Sequence, residues 1–303
     1  MPNATQPRLG FDPAFVLLAA LLVLTWSTGF IGVRATSTEA SILTILFWRS
    51  AMSGLILLPF ALRYGPRLDL RAVLEQAGFG ALGMFFYLGG FSLAIGQGVP
   101  TGLVALITDM LPIGVALLAG PVLGQRLDLR QWLGMGIGVA GVALVSSEGL
   151  RFGAAPGWAL VLPIAGTMAF ALSAVLQRRL RPASVAVHQS VCLQSLTAAA
   201  LFALTSLPFG GVLPPTSASF AFGIGWLVFF ATFGGYGTYY LCLARYPAAR
   251  VTAVLYLSPP VTMLAAHLAF DEPLSPLMLI GTAITLAGVT LAAAPSRSPH
   301  APG

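Results

Sequence analysis

Residues 111–144, LPIGVALLAGPVLGQRLDLRQWLGMGIGVAGVAL, and residues 258–291, SPPVTMLAAHLAFDEPLSPLMLIGTAITLAGVTL, align without a gap at an offset of 147 residues, the difference between 258 and 111. Pro112 falls on Pro259, Gly134 on Gly281, and Ala140-Gly141-Val142-Ala143-Leu144 on Ala287-Gly288-Val289-Thr290-Leu291. Upstream, Ala94 to Leu106 pairs with Ala244 to Leu255 after a small gap. The chain is read as a duplication, and the duplicated unit is almost wholly apolar.

The rest of the chain shares that character. Hydrophobic residues make up 57% of it and charged residues 8%, against roughly 25% charged in a soluble domain. So few charges cannot cover a surface facing water, so lipid is the solvent for most of it. The 34 glycines and 22 prolines fit, because membrane helices tolerate both. A span needs roughly 17–25 mostly apolar residues. Ten such runs occur, at 13–33, 41–62, 75–96, 100–123, 131–147, 156–177, 187–207, 220–243, 250–270 and 275–294. Spans 3 and 4 nearly fuse, and Gly96-Gln97-Gly98 followed by Pro100 marks the turn between them. No small-residue cleavage site follows a short apolar core, so 13–33 is read as an uncleaved first span.

All 15 basic residues are arginine. With the N-terminus inside, the cytoplasmic segments hold twelve of them: Arg8, Arg63, Arg67, Arg71, Arg126, Arg130, Arg178, Arg179, Arg181, Arg245, Arg250 and Arg297. The outer segments hold Arg34 and Arg151, and Arg49 lies within a span. This bias places both termini inside and calls for an even number of spans. The fold expected is an all-α membrane protein of ten transmembrane helices. Residues 1–12 form a cytoplasmic segment, 13–148 and 156–294 two five-helix repeats, and 295–303 a disordered cytoplasmic tail. Five is odd, so the second repeat enters the membrane from the opposite side, and the pair is inverted about a pseudo-two-fold axis in the membrane plane. Such repeats supply two near-equivalent packings, one open on each side, which is what alternating access requires.

At Thr25-Trp26-Ser27-Thr28-Gly29-Phe30, Arg49 and the repeated Pro…Gly-x-x-x-x-x-Ala-Gly-Val-x-Leu pattern, the sequence resembles the EamA-type transporters of the drug/metabolite transporter superfamily. The second half follows the family pattern closely through Ser258-Pro259-Pro260, Asp271-Glu272-Pro273-Leu274-Ser275, Gly281 and Gly288, while the first half departs from it at Gln125-Arg126. The resemblance spans residues 13–294 and extends to the bacterial aromatic amino acid exporters. It implies a multi-pass protein of the bacterial inner membrane, with a central cavity lined by spans 1, 3, 4, 6, 8 and 9, exporting small amphipathic metabolites. Amino acids, aromatic ones included, lead as substrates; a drug or toxic-cation efflux carrier is the alternative.

Polar groups at membrane depth need a reason. Asp109 is the one carboxylate inside a span. It reads as a proton-coupling site, as an anchor for a substrate ammonium, or as a structural hydrogen bond to backbone freed by Pro112. The repeat places it on Tyr256, so this pair is asymmetric. Arg49 reads as paired or snorkelling. His267 and His188 read as hydrogen-bonded or interfacial residues, and Cys192 and Cys242 as small core residues. Trp26 and Phe30, Ser173 and Gln177, and Tyr236 and Tyr240 are each four apart and share a helix face. Together with Tyr87, Asp109 and Tyr256 they are the expected substrate-binding residues. Gly83, Gly89, Pro112, Pro259 and Pro260 are the expected gating and kink positions, because interrupted helices at matching places of two halves mark the site in such transporters.

No catalytic residues are expected. An intramembrane aspartyl protease needs two buried aspartates, and no serine–histidine pair, metal-ligand cluster or nucleotide-binding loop appears. A channel would want a repeated filter or a ring of like charge. The arginines lie in short gaps between apolar runs rather than on one basic face, so no nucleic-acid partner is expected. The partners expected are the lipid bilayer and a small-molecule substrate, with no cofactor beyond a coupling proton. Two linked halves can work as a monomer.

Overall fold

A computed structural model describes residues 13–124, 128–152, 155–180, 185–246, 251 and 254–292. The side chains of residues 150–152, 240, 243 and 244 lie outside that description. Every regular element among the described residues is helical. In chain order they are α1 (Pro13–Thr36), α2 (Ile42–Arg63), α3 (Leu70–Gly96), α4 (Thr101–Thr108), α5 (Leu111–Leu123), α6 (Leu129–Phe152), α7 (Val161–Leu180), α8 (Val187–Ser206), α9 (Ala218–Arg245), α10 (Ser258–Phe270) and α11 (Pro276–Ala292). Among the described residues, eight helical stretches are long and apolar enough to cross a membrane, one of them α4 and α5 together, and α11 is a shorter apolar helix. The ninth and tenth expected spans correspond to α10 and α11, and residues 247–250, 252–253 and 293–294 of that region lie outside the described set.

The helices begin where short polar side chains can take up free amides. Ser41 accepts from Thr44 N at 3.2 Å, Asp69 from Ala72 N at 2.7 Å and Ser217 from Phe220 N at 3.1 Å. Asp128 and Gln131 cap each other reciprocally at 2.8 and 3.0 Å. α5 and α10 end at the same repeat position, in left-handed residues Gly124 (φ 70°) and Asp271 (φ 53°), which are 147 apart.

The surface is inside-out by soluble standards. Leu17, Leu62, Phe222 and Leu268 are 70% or more exposed, whereas Ser53, Ser92, Thr101, Ser173, Ser258 and Thr262 are buried. Without a hydrophobic drive between helices in lipid, association rests on close backbone contact at small residues. The α6–α11 seam shows this. A Cβ added at Gly134 would meet Ala292 and Gly288, one at Gly138 would meet Val289, one at Gly141 would meet Thr285 and Gly281, and one at Gly281 would meet Val145. Residue numbers rise along α6 as they fall along α11, so the two helices run antiparallel. They are repeat counterparts.

The same holds throughout. α2 packs antiparallel on α8 through Gly54–Leu196 and through Gln189, whose Nε2 donates to Ala61 O at 3.1 Å. α1 packs antiparallel on α9 through Thr36–Gly223, Gly32–Leu227 and Thr25–Gly234, and α3 packs antiparallel on α7 through Gly90–Leu162 and Phe86–Gly166. The α1–α9 contact of one half and the α7–α3 contact of the other are counterparts under the repeat. The two long helices α3 and α9 also carry matching π-helical turns, at Ala81–Phe86 and Leu227–Gly234.

Candidate functional site

The paired halves meet at two helix breaks. α4 stops at Thr108, Asp109 and Met110 form a turn, and α5 begins at Leu111-Pro112. Met110 N bonds Ile107 O at 3.1 Å, and 147 residues later Leu257 N bonds Val254 O at 3.0 Å just before α10. Pro112, Pro259 and Pro260 therefore do not kink a continuous helix, as the sequence led us to expect. They sit in the first turn of a new one, where a proline's missing N–H costs nothing, and the break lies ahead of them. Asp109 and its repeat counterpart Tyr256 occupy the two breaks and lie within electrostatic reach of each other.

The glycines divide differently from expectation. Gly83 lies inside the first π-helical turn, and a Cβ there would make ordinary contact with Phe170 and Ser173 at 3.5 Å; Gly89 meets Phe202 at the same distance. The close approach belongs to Gly90, whose added Cβ would strike the Leu162 carbonyl.

Between α1, α2, α3 and α9 lies a pocket of about 40 Å³ lined by Trp26, Phe30, Arg49, Tyr87, Phe91 and Tyr236, among others. Trp26 stands edge-on to Tyr236 at 5.9 Å and tilted to Tyr239 at 6.0 Å. Phe30 meets Phe91 at 4.9 Å, Phe91 meets Tyr87 at 5.4 Å, and Tyr87 meets Phe170 at 4.8 Å. Four expected residues, Trp26, Phe30, Tyr87 and Tyr236, thus share one wall. The Tyr87 hydroxyl interacts with Thr108 and lies within electrostatic reach of Asp109, Tyr236 and Arg49. A larger groove of about 690 Å³ opens between α3, α7 and α8, but its lining is apolar, with Phe85, Phe86, Leu93 and Phe202 prominent. It carries no charged group, whereas Arg49 lines the small central pocket.

That pocket has room only for a few waters. Arg49 is the resident that sequence reasoning set aside as paired or snorkelling. It is buried, and its Nε donates to Thr232 Oγ1 at 3.3 Å. Asp109, Ser173, Gln177 and Tyr256 are not among the lining residues. Ser173 and Gln177 share a hydrogen bond of 3.3 Å, Tyr256 packs beside Ile113, Met135 and Val289, and the side chain of Tyr240 lies outside the described residues. His188 meets Tyr64 O at 2.9 Å and His267 meets Glu272 O at 2.8 Å, whereas Cys192 and Cys242 are buried free thiols.

One end of the bundle is closed by polar contacts that cross between the halves. Thr101 donates its amide and its hydroxyl to the Glu272 carboxylate. Arg34 reaches Glu272 at 3.8 Å and stacks over Phe270 at 5.5 Å. Ser217 donates to Glu39 at 2.8 Å, and Ser275 to Glu148 at 3.1 Å. Nothing in the sequence pairs these residues, since each partner lies more than a hundred positions away.

Comparison with known proteins agrees with this architecture. The profile of the EamA-like transporter family matches twice, over residues 14–147 and 157–294. The chain is 26% identical over 284 residues to the uncharacterized inner membrane transporter YedA of Escherichia coli K12, covering 92% of this chain and 90% of that protein. It is 24% identical over 281 residues to a probable amino-acid metabolite efflux pump of the same organism, covering 90% and 92%. It is 26% identical over 285 residues to a probable terminal-alkyne amino-acid exporter of Streptantibioticus cattleyicolor, covering 89% and 90%. A crystal structure superposes with a TM-score of 0.64 at 19% identity, over 93% of this chain and 97% of that one, which shows the fold alone.

Proposed function

The chain belongs to the EamA-like transporter family, and on that premise we propose that it is a secondary transporter of the bacterial inner membrane that exports small amphipathic metabolites, amino acids including aromatic ones, by alternating access. The observation that carries this reading is the central pocket, where Trp26, Phe30, Tyr87, Phe91 and Tyr236 surround a buried polar centre. Aromatic faces suit an aromatic or amphipathic solute, and polar groups held at membrane depth mark substrate or ion pathways. Two relatives carry amino-acid export in their names, which supports the same class of substrate.

In this reading the chain crosses the membrane ten times with both termini inside, and its halves are inverted. The antiparallel counterpart pairs α6–α11 and α2–α8 support that arrangement, as does the excess of arginine in the inner segments. The end latched by Glu272 then faces outward. A pocket of about 40 Å³, against roughly 300–1,000 Å³ for a ligand site, does not admit an amino acid as the helices stand, and in this reading transport requires the halves to part. Asp109 serves as the coupling-proton site or as the partner of a substrate ammonium. The toxic-cation alternative draws on this same carboxylate, but a buried guanidinium in the pocket works against a cationic solute.

The test is flux of labelled aromatic and aliphatic amino acids in proteoliposomes, with and without an imposed pH gradient. Saturable flux of phenylalanine, tryptophan or tyrosine supports the reading; if it follows the gradient, Asp109 becomes the leading proton site, and if it ignores the gradient, Asp109 binds substrate or holds structure. Absence of all amino acid flux from folded protein would sink it and redirect the search to drugs and other metabolites.

A further inference from the structure

The central pocket holds a cation that no carboxylate among the described residues pairs with. Arg49 is 5% exposed, one edge of its guanidinium is tethered through Nε to Thr232, and Nη1 is buried without any hydrogen-bond partner. Among the described residues the ion pairs are Arg34–Glu272 and Arg71–Glu75, neither of which reaches it. Its ionisable neighbours are the phenols of Tyr236 and Tyr87. Guanidinium stays charged in proteins, and burying it unpaired is strongly unfavourable unless something repays the cost.

Snorkelling does not repay it, because the side chain is buried and its tether belongs to the other half of the protein. The tether itself is built for the purpose. The π-helical turn Leu227–Gly234 lets the Thr232 hydroxyl donate to Leu227 O, five residues back, at 3.0 Å. Its lone pair is then left to accept from Arg49. One edge of the guanidinium is fixed in orientation, and Nη1 remains uncommitted among pocket-lining residues. Tyr87 lies within electrostatic reach of both Arg49 and Asp109, and Asp109 Oδ2 is likewise buried without a partner. Tyr87 therefore interacts with two groups of opposite type that each hold an uncommitted polar atom.

We infer that Arg49 is a specificity-determining residue that docks the carboxylate of an amino-acid-type solute, with the solute's apolar side chain against the aromatic wall. Resting on the transport reading above, this narrows it: a solute with the same ring and ammonium but no carboxylate is refused. The planar fork of an arginine matches a carboxylate in two parallel hydrogen bonds, and a site built for a charged partner rejects the analogue lacking it because its own group is then left unpaired.

The experiment uses the full chain in proteoliposomes, with labelled L-phenylalanine and, as competitors, unlabelled L-phenylalanine, L-phenylalaninamide and phenethylamine. Wild type is compared with Arg49→Gln and Arg49→Lys, each checked for monodisperse elution. We expect the amide and the amine to compete at least about tenfold more weakly than phenylalanine, the scale of a charge-assisted hydrogen bond. Arg49→Gln should raise the apparent KM for phenylalanine by a similar factor and erase the preference for acid over amide, with Arg49→Lys in between. A wild type that moves phenylalanine but competes equally with acid and amide overturns the inference and leaves the transport reading standing. A folded Arg49→Gln with unchanged KM and preference does the same. If wild type moves no amino acid, the transport reading falls and the inference falls with it. Should Arg49→Gln fail to fold, the wild-type ratio of acid to amide decides alone.

Discussion

Glu272 and Thr101 are joined by two hydrogen bonds across 171 residues of chain: the Thr101 amide donates to Oε2 at 2.6 Å and its hydroxyl to Oε1 at 2.5 Å. Thr101 is the first residue of α4, and Pro100 before it makes no side-chain cap. A carboxylate from the other half thus supplies the N-terminal cap and complements the helix dipole. The repeat places Glu272 on Gln125, so the carboxylate of this latch has no counterpart at the corresponding position. Glu272→Ala is expected to lower stability by about 1–2 kcal/mol and Glu272→Gln by less, measured as thermal unfolding in detergent. An unchanged midpoint for the alanine variant would mean that the latch does not hold this end shut.

The α6–α11 seam depends on absent side chains. At Gly288 a Cβ would run into the backbone of Gly138 and Gly134, whereas at Gly136, on the same α6 helix, it would meet nothing. Gly288→Val should therefore cost about 3 kcal/mol, the upper end for overpacking, and Gly136→Ala no more than about 0.5 kcal/mol. The yield of monodisperse protein reads both. Equal yields would show that the seam relaxes.

Asp109 Oδ2 has no hydrogen-bond partner, so Asp109→Asn breaks no bond at that oxygen and should fold. We expect substrate flux to fall about tenfold, as for the loss of one charged contact, with any response to an imposed pH gradient abolished. Unchanged uptake kinetics would remove Asp109 from the mechanism.

Trp26 touches both Tyr236 and Tyr239. Trp26→Ala should weaken apparent affinity for aromatic amino acids by roughly twofold to tenfold, the worth of an aromatic pair, and affect aliphatic ones less. Trp26→Phe should restore most of the difference. Equal losses for both substrate classes would assign Trp26 to packing rather than recognition.

Much of this protein was legible in its sequence. Each window of the chain reports its own cost of transfer into lipid, so the apolar runs could be located one at a time. The duplication at Pro112 and Pro259, Gly134 and Gly281, and Gly141 and Gly288 marked two equivalent units, and the prolines marked where helices break, although the break itself falls at Asp109-Met110 and Tyr256-Leu257, one step earlier. Four aromatic residues sharing a pocket wall, Trp26, Phe30, Tyr87 and Tyr236, were also within reach, because each lies on a helix that the family resemblance places at the cavity.

Tertiary structure decided which polar groups meet. Ser173 and Gln177 share a face by helical spacing, yet they bond each other, while Arg49 lines the pocket. The pairs Arg49–Thr232, Thr101–Glu272 and Glu39–Ser217 join residues 183, 171 and 178 positions apart, and no local pattern encodes such distances. π-helical turns in α3 and α9 change the angular register of every residue beyond them, so the face that Tyr87 or Tyr236 presents cannot be counted from a period of 3.6. Transfer into the membrane is a sum over individual residues and is written in their order; the charge left uncommitted at its centre is a property of helices packed together.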